Sequence, residues 1–154
     1  MSSGAGAGAA AGAAGEGGEQ DGRPRPPAVV AGHGAFAEGL ISAAAQIGGQ
    51  GGLFVGMSNA GKGAAEIADA LRAIVEETGA TVIFTDLPAG SCTTAARRRV
   101  RERPALVLIT GTNLATLLDY AFHAHLDPAA AARHAAEKGR ESLLLFGGEG
   151  AGAG

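Results

Sequence analysis

The chain has 154 residues, 46% of them apolar, and a net charge of -3 at pH 7. This length and apolar content suit one small domain with a buried core. The acidic balance argues against general nucleic-acid binding, and the chain lacks both a secretory leader and a run of about 20 apolar residues, so we expect a cytoplasmic protein.

Gly- and Ala-rich sequence occupies both ends of the chain. Residues 1–27 end in the run RPRPP and lack the side chains that would repay the entropy of ordering, so they are predicted to be a disordered tail. Residues 147–154 have the same composition and carry the same prediction. The predicted domain therefore spans residues 28–146.

Between the tails, short apolar runs alternate with helical patterns. The runs predicted to be strands are residues 28–31, 53–55, 81–84 and 106–109. The patterns predicted to be helices are residues 36–47, residues 64–77, a segment from Ser91 that Pro104 stops, and residues 114–123 with Asn113 as N-cap. This alternation predicts an α/β protein with three layers, α/β/α, and a mainly parallel sheet of strand order 2-1-3-4. Residues 142–146 could add an edge strand.

Turns of small residues follow the first and third predicted strands, at residues 31–34 (AGHG) and 85–91 (TDLPAGS). In an open doubly wound sheet, the loops after these two strands border the crevice where ligands bind. We therefore expect His33 and Asp86 to face each other. The carboxylate would accept a hydrogen bond from one ring nitrogen and fix the tautomer, which leaves the other nitrogen free as a nucleophile.

The second turn also supplies groups that suit an anion. Gly90 and Ser91 lie where a helix is predicted to begin, and the backbone amides of a helix N-terminus bind phosphoryl groups. Gly32 and Gly34 allow the backbone to approach closely. The set indicates a histidine that carries a phosphoryl group.

Simpler interpretations stay open at each of these residues. His33 could be a surface residue in a glycine turn, and Asp86 could cap a helix, as aspartates after strands commonly do. Ser91 is expected to be the N-cap of the third helix whether or not it contacts a phosphoryl group. Gly32 and Gly34 could serve only the turn.

At these residues the sequence resembles enzyme IIA of the mannose-family sugar phosphotransferase system. That family has a hydrophobic strand, a G-H-G or T-H-G turn and, later in the chain, T-D-x-x-G-G-[ST]-P. Residues 111–117 (GTNLATL) and 137–143 (EKGRESL) are similar to two further segments of the family. The resemblance covers roughly residues 28–146.

The resemblance implies a phosphohistidine carrier that needs no cofactor. The small protein HPr would donate the phosphoryl group to His33, which Asp86 orients, and a IIB protein would accept it and pass it on to the membrane IIC/IID complex for sugar uptake. The residues expected to contact the phosphoryl group or the partner are Gly32, Gly34, Gly90 and Ser91. The resemblance also implies a homodimer in which residues 142–146 form an antiparallel edge strand.

The chain departs from the family pattern within the second turn. Ala89 replaces the first glycine of the G-G pair, Cys92 replaces the proline, and Thr93-Thr94 replaces the usual F-N. These changes leave open a regulatory protein that keeps the IIA fold and reports phosphorylation state. Histidine carriers for dihydroxyacetone kinase have a similar fold, but their turn after the third strand is less similar to this one.

A glycine-rich loop, residues 56–63 (GMSNAGKG), nearly matches the phosphate-binding loop G-x-x-x-x-G-K-[ST]. A nucleotide-binding enzyme that uses Lys62 is therefore a third alternative. Gly63 occupies the position where that motif needs a hydroxyl for magnesium, and the motif normally follows the first strand of its domain. An ordinary loop is the favoured interpretation.

Three other features have structural interpretations. Cys92 lies near a helix N-terminus and could be an activated thiol, but no separate base is evident beside it. The arginines of the third helix are interpreted as a solvated face, with partner docking as the alternative; they are Arg97, Arg98, Arg99, Arg101 and Arg103. No metal site is predicted, because His123, His125 and His134 have no Cys or acidic cluster at ligand spacing around them.

Overall fold

The computed structural model describes residues 25–49 and 51–149. Its sheet has four parallel strands in the order β2-β1-β3-β4. The strands are β1 (Ala28–Gly32), β2 (Phe54–Ser58), β3 (Val82–Thr85) and β4 (Val107–Ile109). This confirms the predicted α/β class, the parallel sheet and the strand order.

Five α-helices are present in the described residues. They are α1 (Phe36–Gly48), α2 (Ala64–Thr78), α3 (Ser91–Glu102), α4 (Leu114–Phe122) and α5 (Pro128–Glu141). The first four agree with the predicted helices, and Asn113 caps α4 as expected, since its side chain accepts a hydrogen bond from the backbone N–H of Thr116.

Helix α5 was not predicted. Asp127 precedes it and accepts a hydrogen bond from the backbone N–H of Ala130, and Pro128 occupies its first turn. An aspartate N-cap followed by proline is a recognised start signal for a helix. The buried face of this helix consists of small residues, Ala131, Ala132, Ala135 and Gly139, so the large apolar side chains that mark α1, α2 and α4 are missing from its pattern.

The helices cover both faces of the sheet. Val30 and Phe84 point to one face, where they pack with α1, α4 and α5, and the rings of Phe84 and Tyr120 meet edge to face at 5.2 Å. Val29 and Ile83 point to the other face, where they pack with α2 and α3. Because side chains alternate along each strand, a strand covered on both faces is apolar throughout, as β1 and β3 are.

The expected edge strand at residues 142–146 is absent from this single chain. Helix α5 continues through Glu141, and residues 143–148 have no regular secondary structure. A strand needs a neighbouring strand to satisfy its backbone groups, and this segment lies against none in the described chain. Its apolar side chains are exposed; Leu145, for example, is 92% exposed.

The start of the described chain contacts the domain. The guanidinium of Arg25 lies 4.7 Å from the ring centre of Tyr120 and donates hydrogen bonds to the carbonyl oxygens of His123 and Leu126. The predicted tails fall mostly outside the described residues, which exclude 1–24 and 150–154. Their disorder and the domain limits stay predictions.

Candidate active site

His33 and Asp86 lie side by side at the carboxyl edge of the sheet. His33 follows β1 and Asp86 follows β3, and these neighbouring parallel strands are in register with Ala31 opposite Thr85. The Oδ2 atom of Asp86 accepts a hydrogen bond of 2.8 Å from the backbone N–H of His33 and lies 2.8 Å from the Nδ1 atom of the same residue. The structure thus brings together the pair that the sequence predicts, and Asp86 holds His33 instead of capping a helix.

The hydrogen bonds determine which ring nitrogen of His33 is free. Burial opposes ionisation of Asp86, but the hydrogen bonds from the backbone and side chain of His33 outweigh burial, and the pKa of Asp86 lies below its usual value. An ionised carboxylate only accepts hydrogen bonds, so Nδ1 carries a proton. In the neutral ring Nε2 then has its lone pair available.

The two side chains differ in their access to solvent. The His33 side chain is 52% exposed, whereas the Asp86 side chain is 11% exposed. Asp86 is thus fixed beneath the ring while the ring itself is open to an incoming molecule. This geometry suits a nucleophile that meets a macromolecular partner.

Two glycines lie against this pair. A Cβ atom at Gly32 would lie 2.8 Å from the Oδ2 atom of Asp86 and 2.6 Å from the Cδ1 atom of Phe36, so a side chain at this position collides with the carboxylate. Gly90 has φ of +133°, and a Cβ atom there would lie 3.4 Å from the Cε1 atom of His33. Only glycine allows both the close approach and this backbone conformation.

The turn residue Gly34 plays a different part from Gly32. It has φ of +51°, and a Cβ atom on it would meet nothing within 4 Å. Gly34 therefore serves the turn into α1 and does not contact the carboxylate.

Ser91 is not the N-cap of α3, contrary to expectation. Gly90 occupies the N-cap position, and Ser91 is the first helical residue. The Ser91 hydroxyl oxygen instead accepts a hydrogen bond of 3.2 Å from the side-chain amide of Asn59. The N-cap falls one residue earlier, at Gly90, where φ is +133°, a backbone conformation that glycine tolerates.

Asn59 connects three loops and was not singled out by the sequence analysis. Its backbone N–H donates to the carbonyl oxygen of Gly32 at 3.0 Å, and its side chain reaches Ser91. Asn59 follows β2, so it joins the loop after β2 to the turns that hold His33 and Gly90. The sequence did not indicate this role, because Asn59 lies within the near-match to a phosphate-binding loop, which favoured a different interpretation of the segment.

The near-match to a phosphate-binding loop is arranged unlike an anion site. The Nζ atom of Lys62 donates a hydrogen bond to the carbonyl oxygen of Ser58, and a carboxylate oxygen of Glu66 accepts one of 3.0 Å from the backbone N–H of Gly63. A negatively charged side chain therefore occupies the start of α2, where a phosphate would need to bind. This geometry favours the ordinary loop.

Buried hydroxyls fix the turn after β3. The Thr93 hydroxyl lies 2.5 Å from the carbonyl oxygen of Leu87 and 2.7 Å from the hydroxyl of Thr85, so it bridges the turn and the strand. Thr85 and Thr93 are both buried. A departure from the family sequence at residue 93 thus forms part of the support for this turn.

Cys92 does not have the environment of an activated thiol. It is buried, and burial together with the negative charge of Asp86 raises the pKa of its thiol above the usual value. A protonated, buried thiol is a poor nucleophile. Cys92 packs in the core between the sheet and α3.

The arginines of α3 are only partly the solvated face that was expected. Arg99 is buried and pairs with Glu102 at 2.8 Å and with Glu76 of α2 at 3.8 Å, so it joins two helices. The periodicity of a helix explains this correction, because five basic residues within seven positions cannot all point outward. The others are exposed; they are Arg97, Arg98, Arg101 and Arg103.

The remaining histidines belong to the segment around α4 and α5, whereas His33 follows β1. His123 ends α4, His134 lies within α5, and both face the carboxylate of Asp119. His125 is exposed, with its ring centre 5.9 Å from that of His123.

Across the described residues, every helix is too short or too polar to cross a membrane.

The fold and the site define a doubly wound α/β protein with an oriented, accessible histidine at the switch point of its sheet. The family model described as "PTS system fructose IIA component" matches residues 28–137, which is more than half of the chain. The protein therefore belongs to this family, the mannose-type IIA components of the sugar phosphotransferase system, and is a phosphotransfer component.

Solved structures with the same fold come from several bacteria. The mannose/sorbose specific IIA subunit from Enterococcus faecalis is 22% identical with a TM-score of 0.69, and the match covers 80% of this chain and 96% of that one. Component EIIA from Streptococcus agalactiae is 20% identical, also with a TM-score of 0.69, over 78% and 96% of the two chains. The IIA protein associated with the fucose utilization operon of Streptococcus pneumoniae is 20% identical with a TM-score of 0.69, over 79% and 93%. Comparison with curated protein sequences gives no match.

Proposed function

We propose that this protein is a cytoplasmic phosphohistidine carrier in which Nε2 of His33 accepts a phosphoryl group from HPr and passes it to a IIB protein for sugar uptake. The observation that carries the proposal is the 2.8 Å contact between Nδ1 of His33 and Oδ2 of Asp86, which leaves Nε2 free on a half-exposed ring. Family membership supports it, because the family consists of phosphotransfer components.

The transfer requires no cofactor. The Nε2 lone pair of His33 attacks the phosphorus of a phosphohistidine on the donor, a P–N bond forms to Nε2, and the P–N bond to the donor ring breaks with its electron pair returning to that ring. Both bonds are of the same kind, so the step is nearly balanced in energy. Asp86 keeps the proton on Nδ1 and stabilises the positive charge that the ring of His33 gains.

The turns around His33 suit the transferred group. Its three oxygens are negatively charged, and helix α3 begins at Ser91, directly after the Gly90 that lies against the ring. Backbone amides at a helix N-terminus stabilise such charge. Gly32 leaves room for the carboxylate that orients the ring, and Gly34 leaves the turn before α1 without a side chain, so we assign all four residues to phosphoryl or partner binding.

Phosphoryl transfer from phosphoenolpyruvate through enzyme I and HPr tests the proposal. Intact mass should show one acid-labile phosphate on the chain and none on the His33→Ala variant, with His125→Ala as a matched histidine control. Adding the partner IIB protein should discharge the phosphorylated chain. Absence of transfer from an HPr that is competent towards another IIA protein would refute the carrier role, and retention of the phosphate after adding IIB would favour the regulatory alternative.

We also propose that the active form is a homodimer, with membrane IIC/IID proteins served indirectly through IIB. The segment Leu143 to Phe146 supports this, because its four large apolar side chains are all at least 67% exposed in the single chain. Consecutive exposed apolar residues of this size are typical of an interface. A Leu145→Lys variant should shift the mass measured by light scattering from dimer to monomer, and a monomeric parent chain would refute the proposal.

A further inference from the structure

Three metal-ligating side chains converge at the end of the molecule opposite His33. Asp119 comes from the last turn of α4, His123 is the residue directly after that helix, and His134 comes from α5. One ligand atom from each of the three lies within 4.8 Å of the other two. Arg25, which precedes β1, hydrogen-bonds to the backbone of His123, so the cluster lies at the amino edge of the sheet.

From this convergence we infer that Asp119, His123 and His134 form a binding site for a divalent transition metal ion of the Zn²⁺ class, which ties α4 to α5. Two imidazole nitrogens and one carboxylate oxygen are a ligand set that zinc and its neighbours accept, with water completing the coordination. The sequence predicts no acidic ligand at suitable spacing around the histidines, but Asp119 precedes His123 by four residues, a spacing that places both on one face of a helix.

Two of the three ligand separations lie close to those of a zinc site, and the third is at most 4.8 Å. Ligand atoms about 2.1 Å from a tetrahedral zinc ion lie about 3.4 Å from each other. The Nδ1 atom of His123 is 3.5 Å from Oδ2 of Asp119, and the Nδ1 atom of His134 is 2.7 Å from the same oxygen. The His134 side chain is 53% exposed, so it can move outward by the required fraction of an ångström.

The charges at the cluster favour a cation. The Asp119 side chain is 7% exposed, and its ion-pair partners among the described residues are the two histidines, without any lysine or arginine. Burying a carboxylate costs free energy, which a bound cation reduces. The two rings lie close together, with centres 4.1 Å apart and planes tilted by 38°. A divalent ion bound by all three groups would compensate the carboxylate.

The backbone that carries the ligands is held in place. Arg25 binds the carbonyl oxygens of His123 and Leu126. The Nδ1 atom of His123 lies 2.8 Å from the carbonyl oxygen of Asp119, and a metal ion bound to this nitrogen replaces the proton of that hydrogen bond. These contacts fix the end of α4 against α5. Ligands on fixed backbone bind a metal without a large ordering cost.

The test is a titration of the full chain, free of any affinity tag, with zinc chloride in competition with a chromophoric chelator. We expect one zinc ion per chain, a rise in the midpoint of thermal unfolding, and at least a tenfold loss of affinity in His134→Ala, which removes an exposed ligand without disturbing the core. His33→Ala is the matched histidine control and should keep the parent affinity. Asp119→Asn provides a second ligand variant, and circular dichroism checks the fold of each.

The outcomes separate this site from the phosphoryl site. Binding lost in His134→Ala and Asp119→Asn but kept in His33→Ala supports the inference, whatever the result of the phosphorylation assay. An absence of zinc binding at micromolar concentrations would overturn it. Affinity that is unchanged in His134→Ala, or that falls equally in His33→Ala, would also overturn it.

Discussion

Replacing Asp86 with asparagine separates the charge of this side chain from its shape. Both hydrogen bonds from His33 end on one oxygen, Oδ2, and asparagine can place a neutral oxygen in the same position. Hydrogen bonds to a charged group contribute about 1.5–3 kcal/mol and neutral ones about 0.5–1.5 kcal/mol, so losing the charge weakens the two bonds by about 2 kcal/mol together. Two effects make the net loss of stability smaller than this. Asparagine avoids the cost of burying a charge, and the ring of His33 is half exposed to solvent. We expect the free energy of unfolding at pH 7 to fall by about 1 kcal/mol.

The acid dependence of stability gives the sign of the effect. The pKa of Asp86 is lowered in the folded protein, so its charge stabilises the fold above the pKa of the unfolded chain, and this contribution disappears as the pH falls through the lowered folded value. The difference between parent and Asp86→Asn should therefore be constant at neutral pH and shrink below about pH 4. The same variant should slow phosphoryl transfer by about 10²-fold, since a neutral amide no longer stabilises the positive charge that the ring of His33 gains.

Urea unfolding at a series of pH values measures this difference, and Asp69→Asn is the matched control. Asp69 is 75% exposed and lies 3.6 Å from Arg72 on α2, so its substitution should change stability by less than about 0.5 kcal/mol at any pH. An Asp86→Asn protein as stable as the parent at pH 7 would contradict the reasoning. So would a difference that persists undiminished at low pH.

Two further predictions concern packing at the site. Gly32→Ala should lower the free energy of unfolding by about 1–3 kcal/mol, because its Cβ would lie 2.6 Å from Phe36 and 2.8 Å from Asp86. Gly39→Ala, in α1, should raise it by about 0.5–1 kcal/mol, because a Cβ there would meet nothing within 4 Å. Urea unfolding measures both changes, and the same sign for both variants would count against this reasoning. Cys92 should resist iodoacetamide at neutral pH in the folded chain, because it is buried and burial raises the pKa of its thiol. It should react fully in denaturant, and mass spectrometry measures both reactions. Rapid labelling of the native protein would contradict the buried assignment.

The elements that the sequence predicts well are those with strong local signals. β1 and β3 are runs of buried residues, and the turns of small residues after them indicate where the binding crevice of the sheet lies. The pairing of His33 with Asp86 follows from this topology, because neighbouring parallel strands end at the same edge. The sequence did not predict α5, whose buried face consists of alanines and a glycine in place of large apolar side chains. The edge strand expected at residues 142–146 does not form within one chain, where it lacks a neighbouring strand.

Details of the site that depend on tertiary contacts escape the sequence. Asparagine is common in loops, so nothing in the sequence distinguishes Asn59, and only the folded chain brings it to Gly32 and Ser91. The burial of Arg99 follows from its partner Glu76 on α2, which no local pattern reveals. Residues that join separate segments are thus the ones that a single sequence hides.

The departures from the family pattern act at two different levels. Cys92 and Thr93 are buried, so a docking protein senses them only through the shape of the turn, which the Thr93 hydroxyl holds by bonding to Leu87. Ala89 and Thr94 are exposed and are in a position to meet a partner directly. The hydrogen bonds between His33 and Asp86 depend on the register of β1 and β3 and on the glycine at position 32, none of which the departures alter. The contact between the histidine and the aspartate is therefore preserved by the sheet, and we expect the choice of partner to depend on the exposed residues of the turn.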